Sequence, residues 1–278
     1  MKNNKLIIIL IIVLSILALS LISLIGYLII TKSTVIFNFD DKTELIYEKN
    51  YLNEEINDIV IKSISSDIIF KENTDNEIKV TIYGDKSDNL KVNLENNILS
   101  IDYDIKNNFC IGICSLDDKI IINIPSSYDK EININTTSGD TKGINLINAN
   151  LNINSVSGDI EISNINKSVI NTTSGDVNIN KTTDTTIKTV SGDIEIQSIT
   201  EKLDIKTTSG DVEIDNITLI ENSKIKTTSG DVEIDKINNI YIDVTTTSGK
   251  VDIKNNDRKA DYELKIKTTS GDISVNNY

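Results

Sequence analysis

The feature of this 278-residue sequence that most constrains its fold is a Ser-Gly dipeptide, usually followed by Asp, that recurs through the second half. Two near copies are KIKTTSGDVEI at 224–234 and DIKTTSGDVEI at 204–214. Eight serines begin such units, at intervals of 17 to 22 residues. A period near twenty residues is typical of solenoids, in which each unit buries its apolar side only by stacking on its neighbours. The repeat therefore predicts a solenoid.

Polarity alternates with a period of two inside each unit, which is typical of β-strands. If the serine is position 0, Ile or Val stands at −4 and Thr or Ser at −2, whereas the apolar positions after the glycine are mostly +3 and +5. We expect −4, −2 and 0 to face inward, with the Thr hydroxyls bonded from coil to coil. The change of parity predicts a corner at Ser and Gly, where glycine permits the bend. The corner residues are Ser138, Gly139, Ser157, Gly158, Ser174, Gly175, Ser191, Gly192, Ser209, Gly210, Ser229, Gly230, Ser248, Gly249, Ser270 and Gly271.

These patterns predict an all-β fold, a parallel β-helix or β-solenoid of about eight regular coils over 126–278. A smaller β-rich subdomain is predicted over 33–125. It contains a degenerate coil, because IVIKSISSDIIF at 59–70 fits the repeat with Ser66 in the glycine position. Alternating runs follow, and ENN at 95–97 predicts a hairpin turn.

The N-terminal segment 6–30 contains no charged residue over 25 positions. As a helix it would be about 37 Å long, which is enough to cross a hydrocarbon layer of ~30 Å. A cleaved signal peptide is the alternative, but its apolar region usually spans only about 7–15 residues. We therefore predict a transmembrane anchor over 1–32 that contacts membrane lipid through 6–30. The N-terminus would be cytoplasmic and the C-terminal domain extracellular, as in a single-pass cell-surface protein.

Composition excludes several kinds of chemistry. The chain has no His, so Ser-His catalysis and His-based zinc sites are ruled out. Its formal charge of −14 argues against nucleic acid or anionic lipid as a partner. The Ser-x-x-Lys spacing of Ser127 and Lys130 lies between strand patterns rather than on a helix, so we interpret it as a chance match. We predict a non-enzymatic protein without a cofactor.

Two cysteines, Cys110 and Cys114, flank a glycine in NFCIGICS. A small disulfide loop and a pair of buried, unpaired thiols are both compatible with this spacing. Two ligands without any His do not indicate a metal site.

An aspartate follows most Ser-Gly corners, and stacked coils would place successive carboxylates ~5 Å apart. Calcium bound between coils is one hypothesis for Asp176, Asp193, Asp211 and Asp231. Calcium prefers six to eight oxygen ligands, however, and one carboxylate per coil supplies too few. Corner geometry is therefore the preferred interpretation of this column.

Charged residues also recur on the outer surface, where they form a candidate binding face. It would bind a periodic partner such as a glycan or another solenoid. For the protein as a whole, a cell-wall polymer, a glycan or a membrane protein is the predicted partner. The final coil ends close to Tyr278 without an obvious cap, so its edge is a candidate for self-association. The residues of this face are Lys188, Lys206, Lys226, Glu195, Glu213 and Glu233.

The segment IIINIPSSYDKEININTTSGD at 120–140 and the SGDVEI-type units after it resemble a bacterial family of unknown function labelled "putative adhesin". The resemblance covers about 59–278 and extends to membrane-anchored members of the LiaG type. It implies a parallel β-solenoid, often behind one transmembrane helix, in a surface protein of adhesion or of the cell envelope. Some such relatives are encoded beside envelope-stress systems, which implies an accessory signalling role as the alternative.

Overall fold

The structure is a computed structural model that describes residues 43–84, 89–104, 118–238 and 240–276. The predicted anchor at 6–30 and both cysteines lie outside these ranges. Within them, no helix is both long and apolar enough to span a membrane. The described residues contain one short 3-10 turn, Asn53–Glu55, and nineteen strands in one sheet, so the prediction of an all-β fold is confirmed.

The strands before the first Ser-Gly-Asp are β1 to β8. Their bounds are β1 Glu44–Leu52, β2 Asp58–Ser63, β3 Asp67–Asn73, β4 Glu77–Gly84, β5 Asn89–Glu95, β6 Ile98–Asp104, β7 Lys119–Pro125 and β8 Glu131–Thr136. The remaining strands are β9 Thr141–Asn154, β10 Ile160–Asn171, β11 Val177–Lys188, β12 Ile194–Lys206, β13 Val212–Thr218, β14 Ser223–Lys226, β15 Val232–Asn238, β16 Ile240–Thr245, β17 Val251–Ile253, β18 Tyr262–Lys267 and β19 Ile273–Val275.

Successive repeats stack as parallel strands, and each coil is named here after its corner serine. Residues before the corner form one ladder, in which Ile187 lies opposite Ile170 and Ile205. Residues after the corner form a second ladder, in which Ile196 lies opposite Ile179 and Ile214. Each coil thus contributes one strand segment to each ladder, as in a solenoid.

The core consists of columns of Ile, Val and Leu that stack from coil to coil. Ile205 and Ile214, at −4 and +5, are fully buried and lie on opposite sides of the same corner. At −4, neighbouring coils all carry Ile or Val, so these apolar side chains stack on one another from coil to coil. A chain with few aromatic residues builds a continuous core in this way.

Antiparallel strands close the N-terminal end of the stack. Strand β4 pairs with β1 and β7, and β5 pairs with β6. The predicted turn at 95–97 is confirmed, because Asn96 and Asn97 have positive φ angles of 53° and 63° between β5 and β6. These left-handed conformations are typical of Asn in tight hairpins.

The predicted degenerate coil joins the regular array directly. Strand β2 pairs with β8 in parallel, and β3 pairs with β9. Ser66 lies beneath Gly139, since a Cβ on that glycine would come within 2.4 Å of the Ser66 carbonyl oxygen. Residues 58–73 are therefore a coil of the stack, with β8 and β9 on one side and the parallel strands β6 and β7 on the other.

The coils do not stack in chain order at the C-terminal end. Strands β18 and β19 of the Ser270 coil pair with β14 and β15 on one side, and with β16 and β17 on the other. The final coil is thus inserted between the Ser229 and Ser248 coils, and the expectation that it forms the exposed end is wrong. Within the described residues, the Ser248 coil ends the stack.

The segment after β17 covers part of that end. The Asn256 side chain accepts a hydrogen bond from Ile242 N–H and donates one to Ile242 C=O, both at 2.9 Å. Its amide therefore occupies the backbone groups that a further strand would use, and short protected edges of this kind oppose strand addition.

Candidate binding surface

The corner of each coil extends over four residues, from −1 to +2. Thr207 at −2 and Val212 at +3 are buried, whereas Thr208, Ser209 and Asp211 between them are exposed. The predicted inward direction of −4 and −2 is confirmed here. The expectation that the serine at position 0 faces inward is wrong, because the chain leaves the strand alternation one residue earlier.

The buried threonines also bond differently from the expectation. The Thr207 hydroxyl donates to the Ser209 carbonyl of its own coil at 3.2 Å, and Thr172 and Thr189 make the same bond at 3.1 Å. At these three corners the hydroxyl therefore closes the turn locally, as Ser and Thr do in turns. The buried hydroxyls of Thr227 and Thr268 have no hydrogen-bond partner. The buried threonine hydroxyls do not form a ladder from coil to coil.

Glycine is required at the corner for two reasons. Gly210 has a φ of +134°, which L side chains rarely adopt. A Cβ at this position would also lie 2.2 Å from the carbonyl oxygen of Gly192 in the preceding coil. The backbones of successive corners thus approach too closely for any side chain.

The outward aspartates at +2 form a hydrogen-bonded aspartate ladder. The Asp211 carboxylate accepts the backbone N–H of Asp231 at 2.7 Å, while Asp211 donates its own N–H to Asp193 at 2.8 Å. The same bond recurs between neighbouring coils at 2.7–3.0 Å. Among the described residues, no group of three or more acidic side chains is arranged to hold a metal ion. The ladder comprises Asp67, Asp140, Asp159, Asp176, Asp193, Asp211, Asp231 and Asp272.

The ladder accounts for the one departure from Ser-Gly-Asp among the eight repeats, which is Lys250. Lys250 donates its N–H to Asp272 at 2.7 Å and lies in the last coil of the stack. An aspartate there would have no following N–H to accept within the described strands. Lysine can therefore replace aspartate at this position without breaking a ladder bond.

Removal of one ladder carboxylate tests this interpretation. We expect Asp211→Ala to lower the free energy of unfolding by about 1.5–3 kcal/mol, because Asp231 N–H loses a charged acceptor. Asp211→Asn retains an oxygen acceptor and removes like-charge repulsion, so its loss should be under about 1 kcal/mol. Urea unfolding of both variants measures the difference, and equal losses would contradict the ladder.

A line of lysines lies on the first ladder, at −3. Lys188, Lys206, Lys226 and Lys267 occupy paired positions in four successive coils, and all four are exposed. Stacked strands lie ~4.8 Å apart, so this lysine column is about 14 Å long. Lys267 belongs to it only because the final coil stacks on the Ser229 coil.

The glutamates of the predicted face lie on the other ladder. Glu195, Glu213 and Glu233 are paired in register at +4, on strands that follow the corner. The structure therefore does not bring the predicted lysines and glutamates together on one face. It places them in two parallel columns on opposite sides of the aspartate ladder.

Mutual repulsion affects the glutamate column. Partial desolvation raises the pKa of Glu213, and the carboxylates of Glu195 and Glu233 raise it further. A raised native pKa gives stability that is present below the unfolded pKa and is lost as pH rises through the native pKa.

We therefore expect Glu213→Gln to raise the melting temperature at pH 7, with the difference disappearing below about pH 4. Glu161→Gln is the matched control, because Glu161 occupies the same position but lies 4.0 Å from the Lys142 ammonium. The control should leave the melting temperature unchanged or lower it. A pH-independent effect of Glu213→Gln would contradict the prediction.

The Ser-x-x-Lys match lies in the turn after β7. The Lys130 ammonium donates to the backbone carbonyls of Ile56 at 2.5 Å and Asn53 at 3.4 Å. Its donors are thus directed at the 3-10 turn, where they hold the start of the solenoid in place.

Comparison with known proteins places this architecture in a family. The model of the family described as Toastrack DUF4097 matches residues 56–277. The chain belongs to this family. The predicted resemblance is thereby confirmed for the repeat region. A comparison with curated proteins finds no match.

Solved structures were compared with this fold, and those that match do so at low sequence identity. A protein from Bacteroides fragilis, described as a "putative adhesin", is 16% identical with a TM-score of 0.54, and the match covers 84% of this chain and 98% of that one. A "putative lipid binding protein" from Parabacteroides distasonis is 15% identical with a TM-score of 0.48, over 84% of this chain and 96% of that one. At these identities the likeness to the first protein concerns the fold alone.

Proposed function

We propose that this Toastrack protein is a non-enzymatic, membrane-anchored scaffold on the cell surface that acts in adhesion or in contacts with the cell envelope. The observation that carries the proposal is the periodic display of exposed side chains on a continuous ladder. Lys206 and Lys226 lie in register on one side of the corner, and Glu213 and Glu233 lie in register on the other. A surface of this kind suits recognition of an extended, repetitive partner.

The uncharged segment 6–30 supports anchoring, with the parallel β-helix outside the membrane. The Bacteroides fragilis protein with the same fold is described as a "putative adhesin", which agrees with a surface role. An accessory subunit of an envelope-stress signalling system, acting through a membrane protein, is the alternative that the anchor also permits.

Protease treatment of intact cells tests the location. We expect added protease to degrade residues 33–278 and leave a cytoplasmic marker protein intact. Protection of 33–278 in cells with an intact envelope would contradict the proposed topology.

Purification from intact envelopes under mild detergent then tests the role. Retention of a wall polymer or glycan supports the adhesive scaffold, whereas a stoichiometric membrane protein supports the accessory subunit. Recovery of the protein with neither, at an expression level matched to wild type, would contradict both roles.

A further inference from the structure

The lysine column differs from Lys224 and Lys265 of the same ladder in having no acidic partner. Lys224 and Lys265, at −5, form ion pairs with Asp204 at 2.8 Å and with Asp243 at 3.2 Å. Within the described residues, the ammonium groups of the lysine column form neither an ion pair nor a hydrogen bond. In a chain with 42 acidic residues, these positions remain available as an uncompensated row of positive charge.

Exposed hydroxyls accompany each ammonium of this column. Thr208 and Ser209 follow Lys206, and Thr228 and Ser229 follow Lys226, all on the solvent side of the corner. In the described part of the chain, these side-chain hydroxyls make no hydrogen bond to protein atoms. The Lys206, Lys226 and Lys267 coils therefore each carry one cation and two exposed hydroxyls, whereas the Lys188 coil has the exposed Val190 at −1 and a single exposed hydroxyl, on Ser191. A hydroxyl both donates and accepts hydrogen bonds.

We propose that this surface binds a linear acidic glycan through the lysine column and the hydroxyls beside it, an inference that rests on the proposed surface-binding function. The ammonium groups pair with carboxylates of the glycan, and the threonine and serine hydroxyls bond to its sugar hydroxyls. Repetition of the ammonium over four coils, and of the hydroxyl pair over three of them, matches a polymer that repeats the same groups. Because one polymer chain contacts several coils at once, the individually weak contacts together raise the overall affinity.

The overall charge of −14 does not prevent such binding at physiological salt. Charges beyond a Debye length of about 8 Å are largely screened, so the side chains at the contact decide the interaction. The glutamate column lies on the ladder after the corner, away from the lysine column. Binding should therefore be local to one side of the solenoid and should weaken as salt is added.

The test measures binding of the full-length protein, held in phosphatidylcholine nanodiscs, to immobilised polygalacturonate. Neutral dextran, inorganic polyphosphate and phosphatidylglycerol vesicles serve as the comparison ligands. The test variant is Lys206→Gln with Lys226→Gln. The matched control is Lys224→Gln with Lys265→Gln, which removes the same charge from the same ladder but only from ion-paired lysines.

We expect wild type to bind polygalacturonate in preference to dextran and polyphosphate, and to lose affinity as salt rises. The test variant should bind at least about tenfold more weakly, and the control variant should change less than about twofold. Both variants should keep the wild-type melting temperature, because the substituted side chains are exposed.

Four ligand-binding results would each overturn the inference. These are absence of binding to polygalacturonate, equal binding to polyphosphate, preferential binding to the vesicles, and equal losses in both variants. Charge-dependent self-association that Lys206→Gln abolishes, without glycan binding, would assign the column to a second copy of the chain and also overturn it. None of these results alters the protease and envelope experiments, so the proposed function is tested separately.

Discussion

Substitution of Gly210 by Ala is expected to lower the free energy of unfolding by about 3 kcal/mol. Strain from a side chain at an unfavourable φ costs about 1–3 kcal/mol, and overpacking against a neighbour adds a similar amount. Both apply at Gly210, where φ is +134° and a Cβ would lie 2.2 Å from the Gly192 carbonyl oxygen. That oxygen belongs to the backbone of a packed coil and cannot move aside without disturbing the ladder.

Urea unfolding followed by circular dichroism measures this effect. Ser209→Ala is the matched control, because it removes an exposed hydroxyl one residue away and leaves the carbonyl that accepts the Thr207 bond. The control should lie within about 0.5 kcal/mol of wild type. A loss below about 1 kcal/mol for Gly210→Ala would show that the corners can separate, and would contradict the close stacking.

The strands and the corner were predictable because they depend on local periodicity. Alternation at −4 and −2 and at +3 and +5 locates the buried columns, and the structure buries Ile205, Thr207, Val212 and Ile214 accordingly. The direction of the serine was not predictable in this way. Alternation holds only while the chain is a strand, and the turn begins before Ser209.

The aspartate ladder could not be predicted from the sequence, because this requires knowing which backbone N–H lies above each carboxylate. The sequence shows a column of like charges and suggests repulsion, whereas the structure shows that the carboxylates accept backbone hydrogen bonds from the next coil. The lysine and glutamate columns were correctly identified as outward-facing. Their separation depends on the corner, because position −3 lies on the ladder before it and position +4 on the ladder after it.

The stacking order of the last two coils is a long-range property that periodicity leaves open. The Ser248 and Ser270 coils have the same shape, so either can stack on the Ser229 coil. Lys250 was the available signal, since a coil without a ladder carboxylate fits only where no further coil follows. The observed order places it there and leaves every bond of the ladder intact.

Disulfide trapping is expected to confirm this order. Thr228, Thr247 and Thr269 are the exposed −1 residues of the last three coils. Their neighbouring serines pair as Ser229 with Ser270 and Ser270 with Ser248. Cysteines at 228 and 269, or at 247 and 269, would therefore lie about 5 Å apart, within the range for a disulfide. Cysteines at 228 and 247 would lie two layers apart, at about 10 Å.

In a background with Cys110→Ser and Cys114→Ser, we expect oxidation to cross-link the first two pairs and not the third, as measured by mass spectrometry of proteolytic fragments. The double substitution Lys250→Asp with Asp272→Lys moves the corner without a ladder carboxylate from the Ser248 coil to the Ser270 coil. The Ser270 coil should then favour the end of the stack, with the Ser248 coil next to the Ser229 coil. A charged hydrogen bond contributes about 1.5–3 kcal/mol, so cross-linking between 228 and 247 should rise by tenfold or more. If 228 and 247 cross-link readily in the unswapped chain, the coils stack in chain order and Lys250 has no part in ordering them.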